Sequence, residues 1–86
     1  MSEYPSYYSL KASLYEILNN YNAATAIYLR LLKDDSENGS LWLGLGAAYQ
    51  GENKENEASN AFTKALTYGG LTENQQAYIH SQLKSS

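Results

Sequence analysis

The sequence predicts an all-α fold, five helices in a single domain over residues 1–86, arranged as two helix-turn-helix hairpins of an α-α superhelix and a C-terminal capping helix. Three observations predict it. Apolar residues recur at spacings of three or four in separate blocks, and no block alternates as a strand would. Short polar segments, "NN" at 19–20, "DDSENGS" at 34–40, "GENKEN" at 51–56 and "YGGLTEN" at 68–74, separate the blocks at lengths that suit antiparallel helix hairpins. The blocks also repeat: a shift of 34 residues superposes Ser6 on Ser40, Tyr8 on Trp42, Ala12 on Gly46, Tyr15 on Tyr49, Ala24 on Ala58, Tyr28 on Phe62 and Leu32 on Leu66.

Each element has its own reason. Pro5 and Ser6 open a first helix whose stripe is Tyr8, Ala12, Tyr15 and Leu18. Asn19 stands in the polar pair that separates the first two helices, a turn position that asparagine tolerates. Tyr21, Ala24, Tyr28, Leu31 and Leu32 make the stripe of a second helix, closing repeat one at about 5–38. Repeat two, about 39–72, starts with Ser40 as the expected N-cap and carries Trp42, Leu45, Gly46 and Tyr49. Asn53 turns the chain into a fourth helix with Ala58, Phe62, Ala65 and Leu66 inward. Thr72 with Gln75 three residues on reads as a capping box for a last helix over about 72–84, whose Tyr78, Ile79 and Leu83 would cover the open face of the second hairpin. Two repeats and a cap fall below the usual three, so stability is expected to draw on neighbouring sequence or self-association.

The two glycines of "LWLGLGAAYQ" carry different expectations. Helices approach closely only where small residues meet, so Gly46 and Ala12 are expected to face Ala58 and Ala24. Gly44 falls outside the pattern and is expected only to weaken its helix, by about 1 kcal/mol relative to alanine.

Composition removes several function classes. A net charge of −3 with six scattered basic residues lacks the Lys/Arg cluster that nucleic acid requires. Without cysteine there is no disulfide framework or thiolate metal site. No apolar run approaches the roughly 20 residues that cross a bilayer, and "MSEYPSYYSL" has an acid and a proline where a signal peptide would be basic and then apolar. "GLGAAYQG" fails as a dinucleotide fingerprint because Tyr49 stands where the third glycine belongs and no strand precedes it. "DDSENG" starts like a calcium loop, but its twelfth position is Leu45 in place of the bidentate acid. His80 is the single histidine and has no cysteine or acid cluster beside it in sequence. Neither catalytic residues nor a metal, cofactor or small-molecule substrate is therefore expected.

Within "LWLGLGAAYQGENKENEASNAFTKALTYGG", Trp42, Leu45, Gly46 and Tyr49 match W-x2-L-G-x2-Y, with Ala58, Phe62 and Ala65 following at the same family's spacing. The chain resembles the tetratricopeptide repeat family. The first copy matches at Tyr8, Ala12, Tyr15, Ala24 and Tyr28 but has Lys11 and Leu31 where the family prefers Leu and Ala; Glu55 stands in place of a tyrosine, and Gly70 in place of the proline after the second helix pair.

The resemblance implies a protein-interaction scaffold that holds a peptide or protein partner on a concave face lined by the first helices of the repeats. Carried across, the groove positions are Ser6, Ser9, Ser13, Glu16 and Ile17 in repeat one and Ser40, Leu43, Ala47 and Gln50 in repeat two. Chaperone-binding members hold a terminal carboxylate with Lys and Asn, whereas Ser9, Ser13, Leu43 and Ala47 stand here, so no carboxylate clamp is expected. Tyrosine is over-used, nine against one Phe and one Trp, and any of Tyr4, Tyr7, Tyr68 and Tyr78 exposed together would form a partner patch. The alternative is a structural unit that dimerises or stacks through exposed helices with its groove empty.

More narrowly, "WLGLGAAYQ", "AFTKAL", "GGLT" and "QQAYIHSQL" resemble the C-terminal tetratricopeptide segment of MshN-type accessory proteins of mannose-sensitive haemagglutinin (type IV) pilus biogenesis. That likeness implies a periplasmic domain tethered to the inner membrane; without it, the expected location is cytoplasmic.

Overall fold

The computed structural model describes residues 20–85. Four helices run through them: α1 (Tyr21–Asp34), α2 (Gly39–Gly51), α3 (Glu55–Tyr68) and α4 (Glu73–Ser85). The helix expected to open at Pro5 and Ser6, and with it the Ala12–Ala24 contact and the Asn19 turn, lies outside the described residues. Neighbours in sequence are neighbours in space, α1 on α2, α2 on α3 and α3 on α4.

Local chemistry starts and stops each helix. The Asn20 side chain accepts from the Ala23 N–H at the start of α1. The N-cap of α2 is Asn38, whose Oδ1 accepts from the Leu41 N–H at 3.2 Å while its Nδ2 donates to Asp35 at 2.9 Å. This corrects the expectation for Ser40. Asn38 can cap both the helix and the preceding turn because its amide accepts and donates at once, leaving Ser40 exposed in the first turn. At the other end of α2, Asn53 adopts φ 63°, Lys54 N–H donates to the Tyr49 carbonyl at 2.9 Å, and Asn53 N–H donates to Gln50 at 3.0 Å. This is the paired-bond ending that a left-handed residue makes possible, with asparagine in glycine's usual place.

Helix α3 has no side-chain cap but carries Glu55 and Glu57 in its first turn, where negative charge meets the positive end of the helix dipole. It ends at Gly69, φ 79° and ψ −151°, a conformation open essentially only to glycine, and Gly70 follows at φ 72°. The capping box expected at α4 forms in both directions: Gln75 Oε1 accepts from the Thr72 N–H at 2.9 Å, and Thr72 Oγ1 accepts from the Gln75 N–H at 3.1 Å.

The core lies on the two sides of α2 and under α4. Ala24, Tyr28, Leu31 and Leu32 of α1 pack with Leu41, Leu45 and Ala48 of α2 and Ala61 of α3. Ala58, Phe62 and Ala65 of α3 pack with Ile79 of α4, and Leu66, Leu71 and Leu83 close the edge. Trp42 and Tyr49 touch both groups and join them. Trp42 Nε1 donates to the Ser36 carbonyl at 2.8 Å, Lys64 Nζ lies 4.6 Å from the centre of its ring, and Tyr68 stacks on it at 6.4 Å. The loop that resembled a calcium site is thus a helix-to-helix turn tied down from α2.

Both glycines of "LWLGLGAAYQ" meet aromatic rings. A Cβ on Gly46 would lie 2.6 Å from Phe62 Cδ1 and Cε1, so the nearest side chain to this glycine is the Phe62 ring. A Cβ on Gly44 would lie 2.3 Å from Tyr28 Cζ. The expectation that Gly44 only weakens its helix is therefore corrected: the missing side chain admits a tyrosine ring from the preceding repeat. The physical reason is that period-based reading counts only the stripe facing the partner within a hairpin, whereas a central repeat helix has a second packed face toward its neighbour. Among the described residues, no helix is long and apolar enough to cross a membrane.

Candidate functional site: a concave face between α2 and α4

An open cavity of about 480 Å³ lies on one face of the stack. It is lined by Tyr28 from α1, Ser40, Leu43, Gly44 and Ala47 from α2, and Asn74, Gln75 and Tyr78 from α4. Three of the groove positions expected in repeat two, Ser40, Leu43 and Ala47, are thereby brought together. Gln50 closes the lower end: its Nε2 donates to Gln82 Oε1, and its Oε1 accepts from the Tyr78 hydroxyl at 3.1 Å. Ser6, Ser9, Ser13, Glu16 and Ile17 lie outside the described residues.

The arrangement follows from helix geometry. Positions 40, 43, 44 and 47 recur at three and four residues, so they share one side of α2, while Leu41, Leu45 and Ala48 turn into the core. Helix α4 uses the same frame one repeat further on. Adding 34 to Ser40 gives Asn74, adding 34 to Gly44 gives Tyr78, and adding 34 to Leu45 gives Ile79, which is buried as Leu45 is. The capping helix thus stands where the first helix of a third repeat would stand and presents the matching residues to the groove.

Asn74 and Gln75 were missed as groove residues because the helix was read only as a lid, and Tyr78 was read only as a candidate for an exposed tyrosine patch; the 34-residue shift, carried one step past the second repeat, is the signal that finds Asn74 and Tyr78. Tyr28 and Gly44 were missed together. The glycine was the visible half of the pair, and the ring it admits comes from another helix.

The groove has an apolar floor and a neutral, hydrogen-bonding rim. Leu43, Gly44, Ala47 and the end of the Tyr28 ring make the floor; Ser40, Asn74, Gln75 and Tyr78 make the rim. Among the described residues, no lysine, arginine, aspartate or glutamate lines it. Tyr78 is held in place by an edge contact on Phe62, ring centres 5.9 Å apart, as well as by its bond to Gln50. Its counterpart Tyr68 is just as exposed, 42% against 41%, but stacks on Trp42, so the two rings pack on different partners and only Tyr78 belongs to the groove. His80 is exposed on α4 and does not line the groove. Among the described residues, no group of three His, Asp or Glu side chains converges.

A hairpin of α2 and α3 flanked by α1 and α4, a sequence repeat of 34 residues and an open face shared by α2 and α4 define a helical-repeat interaction module. The tetratricopeptide repeat family model matches residues 5–38 and 39–68, and the chain belongs to that family. Tetratricopeptide repeats generally mediate protein–protein interaction and are typically non-catalytic scaffolds. No curated protein matches the chain.

Proposed function

We propose that this protein is a non-catalytic scaffold that binds a peptide or protein partner on the concave face between α2 and α4. The observation that carries the reading is the convergence of residues from three helices on one open cavity with polar groups at its rim and apolar surface beneath. A few placed hydrogen-bonding groups over an apolar floor are the usual composition of a recognition site. Ser40, Leu43, Ala47 and Gln50 are its partner-binding residues in repeat two, and Ser6, Ser9, Ser13, Glu16 and Ile17 are assigned to the same face by the repeat period. The location proposed with this reading is cytoplasmic.

Panning the full chain against a peptide library and mapping the selected peptides by amide chemical shifts tests it. Shifts centred on Leu43, Ala47 and Asn74 are expected; selected peptides that map to another surface overturn the groove. Light scattering over a concentration range separates the rival assembly unit, which requires oligomers in the absence of any ligand.

A narrower role rests on the wording of the second repeat and tail alone: an accessory of type IV pilus biogenesis at the periplasmic face of the inner membrane. Normal pilus display in a strain lacking the gene would overturn it.

A further inference from the structure

The turn "DDSENG", which ties α1 to α2, ends in the one Asn-Gly pair of the chain, Asn38–Gly39. We propose that this pair is a self-modification site, at which Asn38 deamidates whenever the first turn of α2 unwinds and the isoaspartyl product then keeps that turn from closing again on α3. It does not rest on the groove reading.

The reaction needs only these two residues and water. The Gly39 amide nitrogen attacks Asn38 Cγ; a bond forms between them, the Cγ–Nδ2 bond breaks, and Nδ2 leaves as ammonia with the proton that the Gly39 N–H gives up. Water then opens the cyclic imide at either carbonyl, leaving an aspartate at 38 or an isoaspartyl residue whose main chain runs through Cβ and Cγ. Glycine favours the attack because no Cβ shields its nitrogen.

Packing requires both members of the pair. A Cβ on Gly39 would run into the carbonyl oxygens of Gly69 and Ala65, so α2 starts against the end of α3 only with glycine there. At 38 the side chain accepts from the Leu41 N–H and donates to Asp35 at once, which an amide does and a carboxylate does not. The contact that joins α2 to α3 therefore calls for the chemically labile dipeptide.

The folded turn holds the reaction off. Ring closure needs the Gly39 nitrogen on the same side of the Asn38 Cα–C bond as the side chain, whereas ψ 103° turns it to the far side. The amide is also engaged at both ends, with Leu41 at 3.2 Å and Asp35 at 2.9 Å, and Gly39 is buried. Attack thus waits for a local opening that breaks the cap and frees ψ, and its rate follows the population of that open state.

The two products differ in consequence. An aspartate at 38 still accepts from Leu41 but sets a carboxylate beside Asp35. The isoaspartyl form takes the capping carbonyl into the main chain and adds one backbone atom ahead of Gly39, so Leu41 loses its acceptor and Gly39 leaves its place on the Gly69 and Ala65 carbonyls. Trp42, bonded back to Ser36 across the pair, is carried with it.

The test incubates the full chain in mildly alkaline buffer, with and without urea, and follows the peptide containing Asn38 by mass spectrometry, with an isoaspartate-specific methyltransferase to count the isoaspartyl form. In urea, Asn38 is expected to convert faster than any other asparagine, Asn53 included. Without urea its conversion is expected to slow at least about tenfold. Another asparagine leading in urea overturns the site, and equal rates at Asn38 in both buffers overturn the gating.

Asp35→Ala removes one tie on the amide and is expected to speed folded-state conversion about threefold or more while leaving the rate in urea unchanged. An unchanged folded-state rate overturns the part given to the cap. The isoaspartyl form, separated by chromatography, is expected to unfold at lower urea than the parent by Trp42 fluorescence, with Asn38→Asp closer to the parent. An isoaspartyl form with the parent's midpoint overturns the claim that modification unseats α2.

Discussion

Helix α2 is packed on two sides, and each side meets an aromatic ring at a glycine. At Gly46 the ring is Phe62, 1% exposed and enclosed between α2, α3 and α4; at Gly44 it is Tyr28, 6% exposed, with the end of its ring at the wall of the concave cavity. The two seams serve different ends. Within a hairpin, the ring has no polar atom and is sealed, so the seam holds the repeat together. Between repeats, a hydroxyl has to reach a partner or water, and the seam opens at the groove. Thr25 on the same inter-repeat side donates to the Glu52 carboxylate, which also pairs with Lys54 at 3.2 Å, so the polar link between repeats lies at the end of α2 and not in the middle of its core.

The comparison can be broken most directly at the sealed seam. Gly46→Leu has nowhere to place its side chain except against Phe62, and a loss of about 3 kcal/mol is expected, the upper part of the overpacking range. Urea unfolding followed by the fluorescence of Trp42 measures it, and an unchanged midpoint would contradict a sealed contact.

Thr72→Ala touches neither seam. Losing the capping box of α4 is expected to cost about 1 kcal/mol and to speed amide exchange at Gln75. A cost as large as that of Gly46→Leu would mean that α4 holds the hairpin together far more than its packing suggests.

The smallest net change is expected at the open seam. Gly44→Ala gains about 1 kcal/mol of helix propensity, but its Cβ meets the end of the Tyr28 ring, which can swing toward the groove at comparable cost. Stability is expected to move by less than about 1 kcal/mol, and in a Tyr28→Leu background the same change is expected to become stabilising. Equal effects in both backgrounds would remove the Gly44–Tyr28 contact from the account.

Much of this molecule is legible from its residues alone. The 34-residue period placed the helices, because a tetratricopeptide hairpin needs small residues and aromatics at set intervals if two helices are to approach closely. Asn53 was readable as a turn residue, and Thr72 with Gln75 as a reciprocal cap, because both signals lie within a few residues of the chain. The groove positions Ser40, Leu43 and Ala47 came from the family resemblance, and they share one side of α2.

What the sequence left open depends on which helix lies across which. Asn38 took the cap from Ser40 because its amide could bond Asp35 as well as Leu41. Gly46 met the Phe62 ring because a large ring fills the space that a small residue leaves. Gly44 acquired a purpose only once Tyr28 came across from the preceding repeat, and Asn74 and Tyr78 joined the groove only once the last helix stood in the place of a third repeat. Period and composition determined the class of fold and the side of each helix that faces inward; tertiary structure alone decided which ring fills each gap, since contacts between helices far apart in sequence leave no local periodic trace.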